Sequence, residues 1–376
     1  MIIMALDHTR DFFHEQAMVA DPTNLETTTP ALFFTRWITH YCAPVFIFLS
    51  GVSAYLGGQK KTKAQLSRFL FTRGLWLVIA EATIISLGWT FNPFFNFTGL
   101  QVIWAIGCSM LLLSVLVLLP YRIIALVGVL LFFGHNIIDH FTNPAKGTLG
   151  DMLFKVLLTG SGDLYAYANN HFIAIFYAIL PWTGTMVMGY VFGRLFTPAF
   201  TGQQRNKLCL FTGLALIALF VVLRSGNFYG DNNPWQPQRN TLYSVLSFIN
   251  TTKYPPSLLY LCMTLGPAIA LLPLLNKLGG WLANTLQVYG SVPFFYYICH
   301  IYLIHIVCVL LFFTTGHTTA QIVGERTPFL FRPQNFGFAL GTVYLLWLLI
   351  VAALYLPCHW YSRYKQTHKH WWLSYV

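Results

Sequence analysis

LCLFTGLALIALFVVLR, residues 208–224, carries no charge before its last position, Arg224. A run of this kind, roughly twenty residues with its flanks, crosses a hydrocarbon core about 30 Å thick as a helix. Nine more apolar runs accompany it, at 1–14, 33–57, 69–89, 99–119, 121–140, 171–193, 256–275, 286–313 and 336–358. Together they predict an all-α polytopic transmembrane bundle of ten spans, a single domain over residues 1–376. The first run rises only about 21 Å over its length. It reads as half of a span whose beginning lies upstream of Met1. No small-residue cleavage site follows it, so no cleavable signal peptide is predicted.

Composition supports this class. The chain is 56% hydrophobic and 9% charged, too little polar surface to cover a soluble core. The net charge of +11 does not indicate nucleic acid, because no basic run is interleaved with stacking aromatics. It marks topology instead. Thirteen basic residues and no acidic one lie on one set of alternate loops and helix ends: Lys60, Lys61, Lys63, Arg68, Arg73, Arg122, Arg194, Arg205, Lys207, Lys277, Arg363, Lys365 and Lys369. The opposite set holds seven basic residues (Lys146, Lys155, Arg224, Arg239, Lys253, Arg326, Arg332) against eight acidic ones. By the positive-inside rule both termini are cytoplasmic and the Asp7–His14 end of the first span faces out. The seven cysteines, none in CxxC spacing, read as reduced apolar side chains.

With so few charges, their clustering is informative. Asp7, His8, Arg10, Asp11 and His14 close the first run, and Arg36, Thr39 and His40 open the second. At 100° per residue Asp7, Arg10, Asp11 and His14 share a stripe about 100° wide, with His8 about 60° beyond its edge. Ionisable stripes on spanning helices face the bundle or a watered cavity. One reading is a general base (His8, His14 or His40) oriented by Asp7 or Asp11, with Arg36 steadying developing negative charge. The other is an ion-pair stitch between helices.

Glu81, about 12 Å along its helix from Arg73, falls near mid-bilayer, where a carboxylate must be paired or protonated. It is either a cavity residue or a structural hydrogen-bonding acid. Gln101 and Trp104 either line the same cavity or anchor the interface. His300 and His305, five residues apart, do not share a helix face, which argues against a helical zinc pair. His300 reaches toward the cavity and His305 toward the core. His135 and Asp139 are too few for a metal site. The outer loops 141–170, with a helix expected from Leu149 to Leu158 before Gly160-Ser161-Gly162, and 225–255 are candidate roofs over the site. Lys253 and Tyr254, at the outer mouth, either hold an anionic group or only form the turn that enters the helix at Pro255-Pro256. There is no Gly-rich phosphate loop, GxSxG or bis-His helix pair, so ATP-driven pumping has no motif to support it.

Four stretches, MALDHTRDFF (4–13), APVFIFLSG (43–51), QVIWAIG (101–107) and NTTKYPPSL (250–258), resemble a bacterial multipass membrane family. That family is related to the heparan-α-glucosaminide N-acetyltransferase domain and, more distantly, to the acyltransferase-3 membrane enzymes. The resemblance runs along essentially the whole chain. It implies ten to eleven helices and transfer of an acyl group from cytosolic acyl-CoA, in particular acetyl-CoA; on the spacings above no metal is expected. In the acyltransferase-3 branch an Arg is followed eleven residues later by a catalytic His; His8 matches that His, and the Arg falls before Met1. The heparan branch carries Asn at the position of His8, which shifts the expected acceptor to a hydroxyl or amine of a glycan or lipid-linked sugar on the outer side.

The catalytic set expected from this resemblance and the clusters is His8, Asp7, Asp11, Arg36, His40 and Glu81. Lys60, Arg68 and Arg73 would meet the CoA phosphates, and Arg10, His14, Gln101, Trp104, Lys253, Tyr254 and His300 would contact substrate. The expected setting is a bacterial inner membrane, with the bilayer and the acceptor as partners, no nucleic acid, and homo-oligomers left open. The competing class is a carrier or flippase for an amphipathic anion; a third is a non-catalytic envelope scaffold.

Overall fold

The structure, a computed structural model, describes residues 1–17, 19–141, 144–160, 162–324, 328–333 and 336–375. Arg326 and Ser161, used in the sequence argument, lie outside the described residues. The described polypeptide is mainly helical: α1 (Ile2–Phe13), α2 (Pro30–Thr39), α3 (Cys42–Gly58), α4 (Lys63–Ala80) and α5 (Ser86–Thr90). These are followed by β1 (Phe97–Leu100), α6 (Val102–Leu116), α7 (Tyr121–Gly134), α8 (Leu149–Phe154), β2 (Leu164–Ala168), β3 (His171–Ile175) and α9 (Ile179–Gly193). The chain continues through α10 (Gly202–Gly226), α11 (Thr241–Ile249), α12 (Leu258–Leu275), α13 (Gly280–Ser291), α14 (Pro293–Thr314) and α15 (Leu340–Thr367). Among the described residues seven helical stretches are long and apolar enough to cross a membrane, and α6 is shorter but equally apolar.

The starts are written locally. Thr62 with Gln65 and Thr201 with Gln204 form reciprocal capping boxes at α4 and α10. Ser257 accepts from the Tyr260 N–H at the head of α12, and Pro30 and Pro293 open α2 and α14. Lipid-exposed helices associate by close packing rather than by a hydrophobic drive, so small residues mark the crossings. On α4 and α6, Gly74 and Gly107 face each other; a Cβ on either would sit 2.7–2.8 Å from the other's carbonyl oxygen. Gly213 and Gly266 face each other between α10 and α12, with the corresponding distances 2.6 and 3.2 Å, and Gly51 and Gly189 bring the backbones of α3 and α9 together. The outer faces stay apolar: Phe211 and Val222 on α10 and Leu345, Leu348 and Leu349 on α15 are all exposed. Water would make this surface costly; acyl chains do not.

Four of the ten expected spans are interrupted. Run 33–57 is α2 and α3, joined through a turn at His40-Tyr41. Run 286–313 breaks at Val292, where Pro293 starts a new helix. Runs 99–119 and 171–193 begin as strands, not helix. In the small sheet β1-β3-β2, β1 runs parallel to β3 (Phe97 opposite Phe172, Leu100 opposite Ile175) and β2 pairs antiparallel. Their aromatic and β-branched residues suit a strand, and a short apolar run does not reveal its period. A helix does form at 149–154, continuing as a π turn to Thr159, and Gly160 and Gly162 then take φ of +47° and +80°.

Candidate functional site

The sequence cluster divides between two faces of α1. On one face, both oxygens of Asp7 accept from Arg36 Nη1 on α2 (2.7 and 2.6 Å), and Oδ1 also accepts from Thr39 Oγ1 at 2.9 Å. Arg10 Nη2 lies 2.8 Å from the same oxygen and 2.5 Å from Asp11 Oδ1. Asp7, Arg10 and Thr39 are buried. Asp7 thus accepts from three donors at Oδ1 and from one at Oδ2, the multiple donation that a buried carboxylate requires.

On the other face stands His8. Its Nδ1 is 2.7 Å from His300 Nε2 on α14, and His300 Nδ1 is 3.0 Å from the carbonyl oxygen of Tyr296. A carbonyl only accepts, so His300 Nδ1 carries the proton and, in a neutral ring, its Nε2 is the acceptor. His8 Nδ1–H must then donate, which leaves His8 Nε2 as an unprotonated lone pair. Trp89 packs edge-on to the His8 ring at 4.8 Å and Tyr297 at 6.0 Å. The group oriented against His8 is thus another histidine. Neither Asp7 nor Asp11 is hydrogen-bonded to it, contrary to the expected carboxylate–histidine pairing, because Arg36 and Arg10 occupy those carboxylates.

The other expected residues distribute around this core. His40 is buried against Tyr260, at 5.5 Å between rings, and its Nδ1 has no hydrogen-bond partner among the described residues. Glu81 is fully buried in a π turn (Glu81–Ile85) linking α4 and α5, and its Oε2 accepts the Trp104 backbone N–H at 2.8 Å. It therefore caps α6, with Gln101 in the N-cap position, while Oε1 has no hydrogen-bond partner among the described residues. Lys253 Nζ stands 5.0 Å from the ring centre of Tyr254 and 5.9 Å from that of Tyr177, within electrostatic reach of Asp7 and His8. It forms no ion pair among the described residues. Arg10, Arg36 and Lys253 against Asp7 and Asp11, three cations and two carboxylates, leave one positive charge.

Four expected participants stand apart. His14 ends α1, accepts from the Gln16 N–H and pairs with Phe338. Lys60 and Arg68 are exposed near the N-terminal end of α4, and Arg73 is half-buried further along it. His305 is a core residue, bridging the Gly88 and Leu330 carbonyls. His135 is spent on the carbonyls of Leu131, Phe132 and Pro256, and Asp139 on Asn136, so the two do not share a ligand.

Sequence reasoning missed Trp89, Tyr177 and Tyr297, because in a chain that is 17% aromatic nothing local marks the rings that meet the site. It also missed the roof's framework. Buried Arg224 donates to four carbonyls, those of Asn233, Ser247, Phe248 and Asn250. Asp231 accepts from the Thr252 N–H and from the hydroxyls of Thr252 and Ser257, which fixes the turn bearing Lys253. Arg332 likewise ties the end of α1 to Pro333 and Phe336, donating to the carbonyls of His14, Pro333 and Phe336.

Apolar-faced helices around a buried, fully built ionisable cluster define an integral membrane protein with a polar site inside its bundle. Residues 2–224 match the family model described as heparan-alpha-glucosaminide N-acetyltransferase, catalytic, and the chain belongs to that family. It is accordingly a transmembrane acetyltransferase-like protein. No curated protein matches the chain. The matched region contains Asp7–His14, Arg36, His40, Glu81, Gln101 and Trp104; Lys253, Tyr254 and His300 come from the remainder.

Proposed function

We propose that the protein transfers an acyl group, in the simplest case acetyl, from cytosolic acyl-CoA to a hydroxyl or amine of a glycan or lipid-linked sugar on the other side of a bacterial inner membrane. The observation that carries this is the His8–His300 pair, which orients His8 and leaves its Nε2 open as a base. The acceptor's O–H or N–H gives its proton to His8 Nε2 as the oxygen or nitrogen attacks the thioester carbonyl. The tetrahedral oxyanion then collapses, the C–S bond breaks, and His8 returns the proton to the departing thiolate. Arg36, Arg10 and Lys253 supply the local excess of positive charge that favours the oxyanion. Lys60 and Arg68, exposed and unencumbered by acidic neighbours in sequence, with Arg73 deeper along α4, suit the phosphates of CoA.

The test is acetyl-CoA turnover by purified protein in nanodiscs with candidate amino-sugar acceptors. His8→Ala should lower turnover at least a hundredfold while acetyl-CoA still binds, in line with the usual worth of a general base. An undiminished rate in His8→Ala would remove His8 from the chemistry. Transport of an amphipathic anion with no acetyl-CoA consumed would favour the carrier.

A further inference from the structure

At the far end of α3 from His40, about 25 Å along its 17 residues, a cavity opens among the ends of α3, α4, α6, α7 and α9. Its volume is about 140 Å³, room for a phosphate, and no acidic residue is among the described residues that line it. Lys61, Lys63, Tyr55, Tyr121 and Tyr190 do. Lys63 Nζ donates to the carbonyls of Leu119 (2.9 Å) and Leu118 (3.1 Å) beyond the end of α6, and Lys61 Nζ to that of Gly57 (2.6 Å) in α3. Each ammonium has three N–H bonds, so one remains on Lys63 and two on Lys61. The Arg194 guanidinium lies over Tyr121, 5.4 Å from its ring centre, and the Tyr121 hydroxyl is fixed by donation to Val191 O. Among the described residues none of these three cations is ion-paired.

We infer that this cavity binds a phosphate group, and that its carrier is the headgroup of an anionic lipid. Spare, pre-positioned cationic donors without a counter-charge define the phosphate. The rim defines the carrier. Leu119 lines the cavity and is 37% exposed, and Leu118, Val115 and Leu56 beside it are exposed as well. Apolar side chains at a basic mouth match a molecule with acyl chains and add nothing for a free anion. Because the headgroup would bridge the ends of five helices, occupancy should stiffen the bundle. This inference is independent of the transfer reaction.

The experiment measures the melting temperature of the full chain, delipidated in neutral detergent. Added in turn are phosphatidylglycerol, diacylglycerol, inorganic phosphate and CoA, with native mass spectrometry counting retained lipid. Phosphatidylglycerol should raise the melting temperature and the other three should not. The double substitution Lys61→Gln, Lys63→Gln should weaken the lipid effect about tenfold or more, at about one kcal/mol for each basic residue near an anionic surface. The corresponding Arg pair should restore it, which separates lost charge from a lost helix-end contact. An equal response to phosphatidylglycerol in the Gln pair would overturn the site. A response to CoA or inorganic phosphate but not to phosphatidylglycerol would overturn the lipid carrier.

Discussion

His300 acts on the proposed chemistry only through His8. Replacing it by Ala removes the acceptor of the His8 Nδ1–H bond and frees the ring to change tautomer and rotate. The expected result is a fall in kcat of about ten- to a hundredfold with KM little changed, the range typical when a supporting hydrogen bond to a working imidazole is lost. A matched fall in acetyl-CoA affinity would instead make His300 a binding residue. Asp7 poses the opposite case. Among the described residues, Asp7→Leu leaves Arg10 with Asp11 as its remaining carboxylate partner and Arg36 with none, both in a buried setting, and should destabilise the protein by about 3–5 kcal/mol. Thermal melting of the purified variant reads this, and an unchanged midpoint would show the network to be dispensable. At this scale the sequence identified the cluster but not its wiring. Helical angles separated His8 from the Asp7 stripe, yet they could not say that α14 lay on His8's side. The His8–His300 contact spans 292 residues and has no local signal.

Elements were legible where chemistry is local and obscure where it is not. Thr62–Gln65 and Ser257 announce helix starts, but Glu81 in an apolar run gives no hint that its helix loosens into a π turn. The turn shifts the register so that the carboxylate reaches the N-terminus of α6, an arrangement that needs the neighbouring helix to be present. Glu81→Gln keeps an oxygen for the Trp104 N–H and should melt close to the parent, whereas Glu81→Ala loses the cap and should cost about 0.5–2 kcal/mol. Loss of activity in Glu81→Gln with an unchanged melting point would point to its second oxygen, the one with no partner among the described residues, as a participant in the reaction. The crossing of α4 on α6 invites a companion test. Gly107→Val places a side chain against the carbonyl of Gly74 and the Val78 side chain, an overpacking expected to cost about 1–3 kcal/mol; wild-type stability there would mean the two helices can part without loss.

For the whole molecule, the charge map makes the boldest claim. Length and hydropathy say how many stretches can cross, and interior polar contacts say which helix faces meet; neither says which end lies in the cytoplasm. Only the asymmetry of Lys and Arg does, since basic loops resist translocation. Lys60, Lys61, Lys63 and Arg194 gather around one end of α3, α4 and α9, while Asp231, Lys253 and the roof they build sit beside His40 at the other end of α3. The transfer proposal requires this polarity, because the thioester must arrive from the basic end and the acceptor must reach His8 from the roofed end. Two single-cysteine variants test it, in a chain with its seven cysteines replaced. Cysteine at exposed Lys146 should react with a membrane-impermeant maleimide in intact spheroplasts, and cysteine at exposed Lys60 should react only after permeabilisation. The reverse pattern would invert the molecule, leaving His8 on the cytoplasmic side beside its acyl-CoA. The reaction would then be an ordinary cytoplasmic acylation, with no need for a path through the bundle.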